Sequence, residues 1–314
     1  MRYSQGYGSM GGGMRGSSLL DEFKNAFNRP DNGLIQIILI NVVFFVVIRL
    51  LHLFTTGNRD VFYLITSYIY LPASINEALT RPWTIFTYFF AHFGVLHILF
   101  NMLFLFWFGK IIKEFLGGGK VISLYVLGGL AGGLLFLLIY NLVPYFSDRL
   151  DHPMLGASAG VFAVVVGAAT FMPNYTIFLL FLGPVRIKYI ALFYVFLSVV
   201  QSTGPNAGGN IAHLGGAILG FVFIKQLQHG KDWGKGIHWL LSFFKSFFRS
   251  QPKVKVSYRK ESKKKTTSRT STGTTKKETA SQEEIDAILD KISHSGYESL
   301  TKDEKQKLFN ASKR

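Results

Sequence analysis

A series of apolar runs, the first of them long enough to cross a membrane, limits the fold of this chain more than any other feature. A helix needs about 20 apolar residues to cross roughly 30 Å of hydrocarbon. The run Leu34–Phe54 is interrupted by a single charge, Arg49, near its end. Only 17% of the residues are charged, whereas soluble domains carry about 25%. The sequence therefore predicts an all-α, multi-pass membrane protein and excludes a disordered chain and an ordinary soluble enzyme.

Six membrane spans are predicted from these runs. The block Trp83–Phe108 is too long and irregular for one straight helix. We therefore expect a loop that enters the membrane up to about Gly94, followed by a second span that begins near Val95. The later spans are short or rich in glycine, which favours helices packed against protein more than lipid. The predicted spans are Leu34–Phe54, a helix from Val95, Val121–Val143, Ala157–Met172, Ile187–Val200 and Ile211–Gln226.

The segments between and after the spans define the remaining organisation. Thr55–Arg81 is rich in tyrosine, which favours the water–lipid interface, so a membrane-embedded first loop is expected there. Thr301 precedes Glu304 by three residues, the spacing of a helix capping box. The predicted domains are a flexible Gly-rich tail with a surface helix (1–33), a six-span core (34–226), a basic flexible linker (227–280) and a small helical cytoplasmic appendage (281–314).

The distribution of basic residues predicts the topology. The net charge is +16, but 21 of the 34 Lys and Arg residues lie in residues 225–314, behind the apolar region. In residues 1–33, in the loops on the same side and in the first part of the tail, thirteen Lys and Arg residues lie on the side of the two termini. Only Arg59, Arg81 and Arg149 lie in the opposite loops. Basic loops face the cytoplasm. We therefore expect a cell-membrane protein with both termini cytoplasmic, whose partner is the lipid bilayer and not nucleic acid.

The polar residues inside the spans point to a reactive site. The spans contain no Asp or Glu, which excludes a two-aspartate protease, and no HExxH zinc motif is present. No metal and no cofactor is therefore expected. The spans do contain His97, Asn101, Ser158 and His213, and His92 lies just outside them. Because spans two, four and six run in the same direction, these side chains are predicted to lie together in the outer third of the bilayer.

Small residues surround two of these side chains. Ser158 lies between Gly156 and Gly160, the G-x-S-x-G spacing of a soluble-hydrolase elbow, although no strand precedes it. Gly216 and Gly220 have the GxxxG spacing that lets helices approach closely. Taken singly, a span serine often bonds its own helix, and a span histidine or asparagine often joins two helices. Here these polar residues occur together at one depth of the bilayer, and the small residues let the helices approach closely. This combination favours a hydrogen bond between Ser158 and His213 on neighbouring helices.

Three motifs resemble the rhomboid intramembrane serine proteases over about residues 34–226. They are His92-x4-His97-x3-Asn101 in span two, Gly156-Ala-Ser158 in span four, and AHxxGxxxG from Ala212 to Gly220 in span six. The resemblance implies a six-transmembrane-helix, rhomboid-like bundle. One departure concerns the first loop, where the family commonly carries a Trp-Arg pair and Thr84 follows Trp83 here.

The same resemblance implies a role for each site residue. Ser158 is the implied nucleophile and His213 the general base. His97, Asn101 and the Ser158 N–H are the implied oxyanion hole, and Phe162 corresponds to the ring under the catalytic histidine. Gly156, Gly216 and Gly220 are supporting residues.

The expected function is a serine endopeptidase that cleaves transmembrane segments of single-span or other membrane-anchored proteins near the outer face of the bilayer. One alternative is an inactive relative that binds transmembrane clients, which should lack Ser158 or His213. Another is a small-solute channel or transporter, which should have polar groups at the midplane and an internal repeat. A cytoplasmic partner that binds the C-terminal tail is a further possibility.

Overall fold

Apolar helices make up most of the molecule. The computed structural model describes residues 25–29, 31–179, 183–237, 239, 242–243 and 282–311. The helices, in chain order, are α1 (Gly33–Phe54), α2 (Arg59–Thr66), α3 (Ile75–Thr80), α4 (Thr84–Thr87), α5 (Val95–Leu116), α6 (Gly118–Leu142), α7 (Ser158–Phe171), α8 (Ile187–Val200), α9 (Ala207–Gln228), α10 (Gln282–Ser295) and α11 (Lys302–Ala311). Short 3-10 helices cover Tyr88–Phe90, Pro144–Arg149 and Tyr297–Ser299. The predicted all-α membrane fold is confirmed.

Among the residues that the structure describes, four helices are long and apolar enough to cross a membrane: α1, α5, α6 and α9. The apolar helices α7 and α8 have 14 residues each, so each extends only about 21 Å. Most of α7 is buried within the bundle, whereas α8 exposes large apolar side chains such as Phe193 and Phe196. Four long and two short apolar helices agree with the six predicted spans, and the span count itself stays a prediction.

Two helices begin earlier than the apolar runs indicate. α9 begins at Ala207, not at Ile211, because the Gly-rich stretch before the apolar run is also helical. His213 is therefore its seventh residue, and not at the helix start as predicted. α6 begins at Gly118, whose N–H donates a hydrogen bond to the carboxylate of Asp31. A carboxylate stabilises a helix N-terminus, so this contact favours an early start.

The predicted first loop contains two short helices, α2 and α3. Tyr63 is exposed on α2, whereas Tyr70 is buried after it. The guanidinium of Arg81 lies 5.1 Å from the Tyr68 ring centroid and donates to the Ser67 carbonyl at 3.0 Å. The indole N–H of Trp83 donates to the Tyr68 carbonyl at 2.9 Å. Arg81 and Trp83 therefore both bond the backbone at residues 67–68, just after α2.

A short β-hairpin between α7 and α8 was not predicted. Strand β1 (Thr176–Leu179) pairs antiparallel with strand β2 (Gly183–Arg186), with Ile177 opposite Val185. The strands are four residues long, too short for an alternating pattern to stand out in the sequence. The hairpin delivers the chain directly into α8, whose first residue is Ile187.

Buried hydrogen bonds fix the segment that precedes α5. The Tyr88 hydroxyl donates to the Gly129 carbonyl at 2.5 Å, and the Tyr125 hydroxyl donates to the Phe89 carbonyl at 2.6 Å. The amide nitrogen of Asn41, from α1, donates to the Tyr125 hydroxyl at 2.9 Å. Since unpaired polar groups are costly in an apolar interior, these bonds hold the segment firmly against α1 and α6.

Glycine and alanine form the contact between α6, α7 and α9. A Cβ atom at Gly216 would collide with the carbonyl oxygen of Ala159, and one at Gly220 with that of Ala163. A Cβ at Gly132 on α6 would lie 2.5 Å from the Cβ of Ala159 and 2.7 Å from the carbonyl oxygen of Ala212 on α9. The backbones therefore approach more closely than any larger residue permits, and each of the three helices contacts both of the others.

A second compact unit includes the described residues 282–311. Its helices α10 and α11 flank Gly296, as predicted. The Thr301 N–H donates to Glu304 Oε2 at 2.7 Å and the Glu304 N–H donates to Thr301 Oγ1 at 3.3 Å, so the capping box is confirmed. The Thr301 N–H, followed by the Lys291 ammonium, lowers the pKa of Glu304 to about 2.

Most of the predicted tail (1–33) and of the predicted linker (227–280) lies outside the described residues. Within the described parts, residues 25–28 and 234–237 are helical.

The close contact between α7 and α9 predicts the effect of one added methyl group. Gly216→Ala should lower the free energy of unfolding by about 1–3 kcal/mol, the usual cost of overpacking, because the obstructing atoms belong to the α7 backbone. Gly57→Ala is the control, since a Cβ there meets nothing within 4 Å. Thermal melting of both purified variants tests this. Equal melting of Gly216→Ala and the wild type would contradict the close approach.

Candidate active site

Ser158 is the first residue of α7, and Gly156, two residues earlier, has a backbone conformation that favours glycine. Gly156 has a φ of +129°, and its N–H donates to the Tyr88 carbonyl at 3.0 Å. A Cβ at Gly156 would also lie 2.9 Å from Cε1 of His97. Backbone conformation and space thus both require glycine. The glycine brings the start of α7 against the His97 ring, so that Ser158 and His97 lie near the same point.

His213 is held against α7 by a ring contact. Its imidazole stacks on the Phe162 ring, with centroids 4.1 Å apart and planes at 11°. Phe162 is four residues after Ser158, so the two share one face of α7. The Phe162 ring therefore lies against the imidazole of His213, where the sequence analysis expected it. This stack brings His213 to the face of α7 that carries Ser158.

The second contact of His213 is to α8. Its Nδ1 atom lies 3.2 Å from the Ser198 hydroxyl oxygen. Within the described part of the chain, no hydrogen bond joins His213 to the Ser158 hydroxyl. The predicted Ser–His hydrogen bond is thus not formed here, although both side chains line one cavity.

His97 and Asn101 lie on one face of α5, as their spacing predicts. The Asn101 amide nitrogen donates to the His97 carbonyl at 2.9 Å. It also lies 3.4 Å from Nε2 of His92. Asn101 is 8% exposed, whereas His97 lies open to the cavity. The two side chains therefore lie together at the start of α5, and both N–H groups of Asn101 already have partners.

His92 is fully buried and connects α5 to the start of α7. Its Nδ1 lies 3.3 Å from the Phe90 carbonyl, which can only accept, so Nδ1 carries the proton of a neutral ring. Nε2 is then the acceptor, and it receives the Ala157 N–H at 3.4 Å besides the Asn101 amide. The sequence placed His92 outside the spans and assigned it no role, but it orients Asn101 and the residue before Ser158.

A single cavity of about 560 Å³ joins these residues. Helices α5, α7, α8 and α9 each contribute to its wall. Its polar lining includes His97, Asn101, Ser158, Ser198 and His213. A volume of this size suits an extended peptide or another small organic group. The four predicted site residues, His97, Asn101, Ser158 and His213, therefore line the same cavity. A hydroxyl, an imidazole and further polar groups can act there on one substrate.

Sequence reasoning missed Ser198 altogether. It lies inside the apolar run Ile187–Val200, where a single serine commonly bonds its own helix. No motif spacing links it to His213, because the contact depends on how α8 packs against α9. Only its polarity within an apolar run was visible in the sequence.

Comparisons with known proteins agree with this geometry. Residues 79–228 match the profile of the Rhomboid domain, and residues 274–314 match a family of unknown function (DUF6576). The chain is 27% identical to RHOMBOID-like protein 12, mitochondrial, of Arabidopsis thaliana, over 48% of each chain. It is 32% identical to Rhomboid protease GlpG of Salmonella newport, over 27% of each chain. The chain thus spans about half the length of the first relative and a quarter of the second.

The buried position of His92 predicts a loss of stability when its ring is removed. His92→Ala leaves the Ala157 N–H without its acceptor and opens a cavity beside Asn101. The expected loss is about 1–3 kcal/mol in the free energy of unfolding, the usual cost of an unpaired buried group. His229→Ala, at an exposed position after α9, is the control and should melt as the wild type does. A His92→Ala variant as stable as that control would contradict the bridging role.

Proposed function

Because this chain belongs to the rhomboid family through its Rhomboid domain at residues 79–228, we propose that it is an intramembrane serine endopeptidase. The protein is an integral membrane protein, and the family includes a relative named a rhomboid protease. The proposal assigns the nucleophile to Ser158 and the general base to His213. His97 and Asn101 are assigned to the oxyanion hole.

One observation carries the proposal: the stack of His213 on Phe162, one helical turn from Ser158. It brings an imidazole from α9 to the Ser158 face of α7, inside the cavity that His97 and Asn101 also line. Catalytic hydrogen bonds often tighten only when substrate binds, so the unformed Ser158–His213 bond is compatible with this chemistry.

The proposed reaction forms and breaks one covalent bond to the enzyme. Ser158 Oγ attacks the carbonyl carbon of a peptide bond while His213 takes the hydroxyl proton. The C–N bond then breaks, and the imidazolium returns that proton to the leaving amine. Water then attacks the acyl carbon while His213 takes one of its protons, the ester C–O bond breaks, and the imidazolium returns the proton to Ser158 Oγ as the new carboxyl group leaves. No carboxylate partner for the histidine is required for these proton transfers.

The negative charge of the tetrahedral intermediate needs donors at a fixed position. His97, Asn101 and the Ser158 N–H are proposed to supply them. The His97 carbonyl and Nε2 of His92 engage both N–H groups of Asn101, so the proposal requires the longer contact, to His92 at 3.4 Å, to give way to the intermediate. A donor in an oxyanion hole lowers the barrier by roughly 2.7–4 kcal/mol.

The proposed substrates are membrane-anchored proteins. A peptide bond inside a regular helix is hydrogen-bonded and shielded, so the segment that is cleaved must unwind. We therefore expect single-span substrates with helix-weakening residues near the outer end of the span. The distribution of Lys and Arg supports cytoplasmic termini and cleavage toward the outer face of a cell membrane.

The nucleophile and the base are tested together with a fluorophosphonate probe. The wild type should be labelled and should cleave a model single-span substrate. Ser158→Ala should lose both properties, because it lacks the attacking oxygen. His213→Ala should lose both as well, since an unassisted serine is a weak nucleophile. Labelling is read by in-gel fluorescence, and cleavage by electrophoresis of the substrate.

His229→Ala is the matched control for histidine removal, because this side chain lies after α9 at an exposed position. It should keep wild-type labelling and cleavage. Cleavage by Ser158→Ala above the level without enzyme would refute the assignment. Equal loss in both histidine variants would show that the loss reflects the general effect of the substitution and not the base.

Asn101→Ala separates an enzyme from a protein that only binds transmembrane clients. If Asn101 stabilises charge present only in the transition state, kcat should fall about 10- to 1,000-fold with little change in KM. If it only joins helices, kcat per folded molecule should stay at the wild-type value while stability falls. Steady-state kinetics and melting are measured on the same detergent-purified variant. An unchanged kcat would remove Asn101 from the proposed oxyanion hole.

A further inference from the structure

The Ser198 hydroxyl is a buried group that the proposed reaction does not yet use. It lies on α8 and is 2% exposed. Its oxygen is 3.0 Å from the Tyr194 carbonyl of the preceding turn and 3.2 Å from Nδ1 of His213. Both distances are within hydrogen-bonding range. A side chain of α8 therefore contacts the proposed base directly.

Counting protons assigns the direction of both bonds. A hydroxyl has one hydrogen to donate and two lone pairs to accept with, whereas a carbonyl can only accept. The Ser198 hydrogen therefore goes to the Tyr194 carbonyl. The bond to His213 must then be an Nδ1–H donated to Ser198. In a neutral ring the other nitrogen, Nε2, keeps its lone pair and can take a proton.

Two contacts together fix the imidazole. The Phe162 ring fixes its plane by stacking at 11°, and the Ser198 bond fixes its rotation within that plane. Tyr194, on α8 as well, places its ring edge-on to Phe162 at 6.3 Å between centroids. The backbone carbonyl of Tyr194 also accepts the hydrogen bond from the Ser198 hydroxyl. One turn of α8 therefore supports both the Phe162 stack and the Ser198 bond of His213.

We propose that Ser198 is a positioning residue for His213, which holds the Nδ1–H tautomer and directs Nε2 toward Ser158. The inference rests on the proposed function and adds a third member to its Ser–His pair. In soluble serine proteases a buried aspartate does this work. A neutral hydroxyl performs the same orientation without placing a second charge in the membrane, where ionised side chains are expensive.

A second buried serine in a span provides a matched control. Ser123, on α6, is fully buried and bonds the carbonyl four residues before it at 3.1 Å, as Ser198 does. It has no contact with His213. Ser123→Ala therefore removes the same hydroxyl and the same helix bond from the same kind of site. Any difference between the two alanine variants reports on the histidine contact.

The experiment compares the wild type with Ser198→Ala, Ser198→Thr and Ser123→Ala, each as the full chain in detergent micelles. The first measurement is the rate constant of fluorophosphonate inactivation, which reports the reactivity of Ser158. Cleavage of a model single-span substrate gives kcat and KM, and thermal melting gives stability. The tautomer of His213 is read by 15N NMR on histidine-labelled protein and assigned by comparison with His213→Ala.

Ser198→Ala should lower both the inactivation rate and kcat on the order of 10-fold, the size of one neutral hydrogen bond that orients a base. KM should change little, and melting should match that of Ser123→Ala. Ser198→Thr keeps the hydroxyl and should restore most of the rate. The wild-type spectrum should show a proton on Nδ1 of His213, and Ser198→Ala should move part of the population to Nε2.

Wild-type rates and an unchanged tautomer in Ser198→Ala would overturn the proposal. An equal loss of rate in Ser123→Ala would also overturn it, because the effect would then be structural. A separate outcome concerns the proposed function: a wild type that neither reacts with fluorophosphonate nor cleaves substrate refutes the protease. The positioning of His213 by Ser198 would still be supported in that case if Ser198→Ala shifts the tautomer.

Discussion

The close approach of α6, α7 and α9 is the interaction on which the site depends. Gly216 and Gly220 bring the α9 backbone against carbonyl oxygens of α7, where any side chain would collide. Only at this separation does the ring of His213 stack on Phe162. In a membrane, helix association depends on such packing, because lipid tails compete for apolar surface. Glycine therefore determines how near a base on one helix comes to a hydroxyl on another.

The polar groups of the bundle are arranged so that hydrogen bonds hold the reactive side chains. Among the described residues, every buried side-chain nitrogen and oxygen has a hydrogen-bond partner. His92 holds Asn101, and Ser198 holds His213. The bonds of Tyr88 and Tyr125 fix the segment that carries His92. Asn101 and His213 are thus each oriented by a second polar group that lies behind it.

The sequence predicted the chemistry of the site more completely than its supporting contacts. His97, Asn101, Ser158 and His213 were visible because polar residues are rare in apolar spans, and the structure brings all four to one cavity. The capping box of Thr301 and Glu304 followed from local spacing alone. Ser198 and His92 were not assigned because their contacts join different elements of the tertiary structure. The early start of α9 was missed because its first turn, Ala207–Asn210, lacks large apolar residues.

The claim that these residues form one reaction centre is tested most directly by a structure of the full chain after reaction with an organophosphonate ester. The bound group resembles a tetrahedral intermediate, since its phosphorus is tetrahedral and carries an oxygen in place of the oxyanion. The phosphorus should be bonded to Ser158 Oγ, with that oxygen about 2.7–3.1 Å from donors on His97 and Asn101. A phosphorus atom bonded to another residue, or an oxygen directed away from both side chains, would contradict a shared centre.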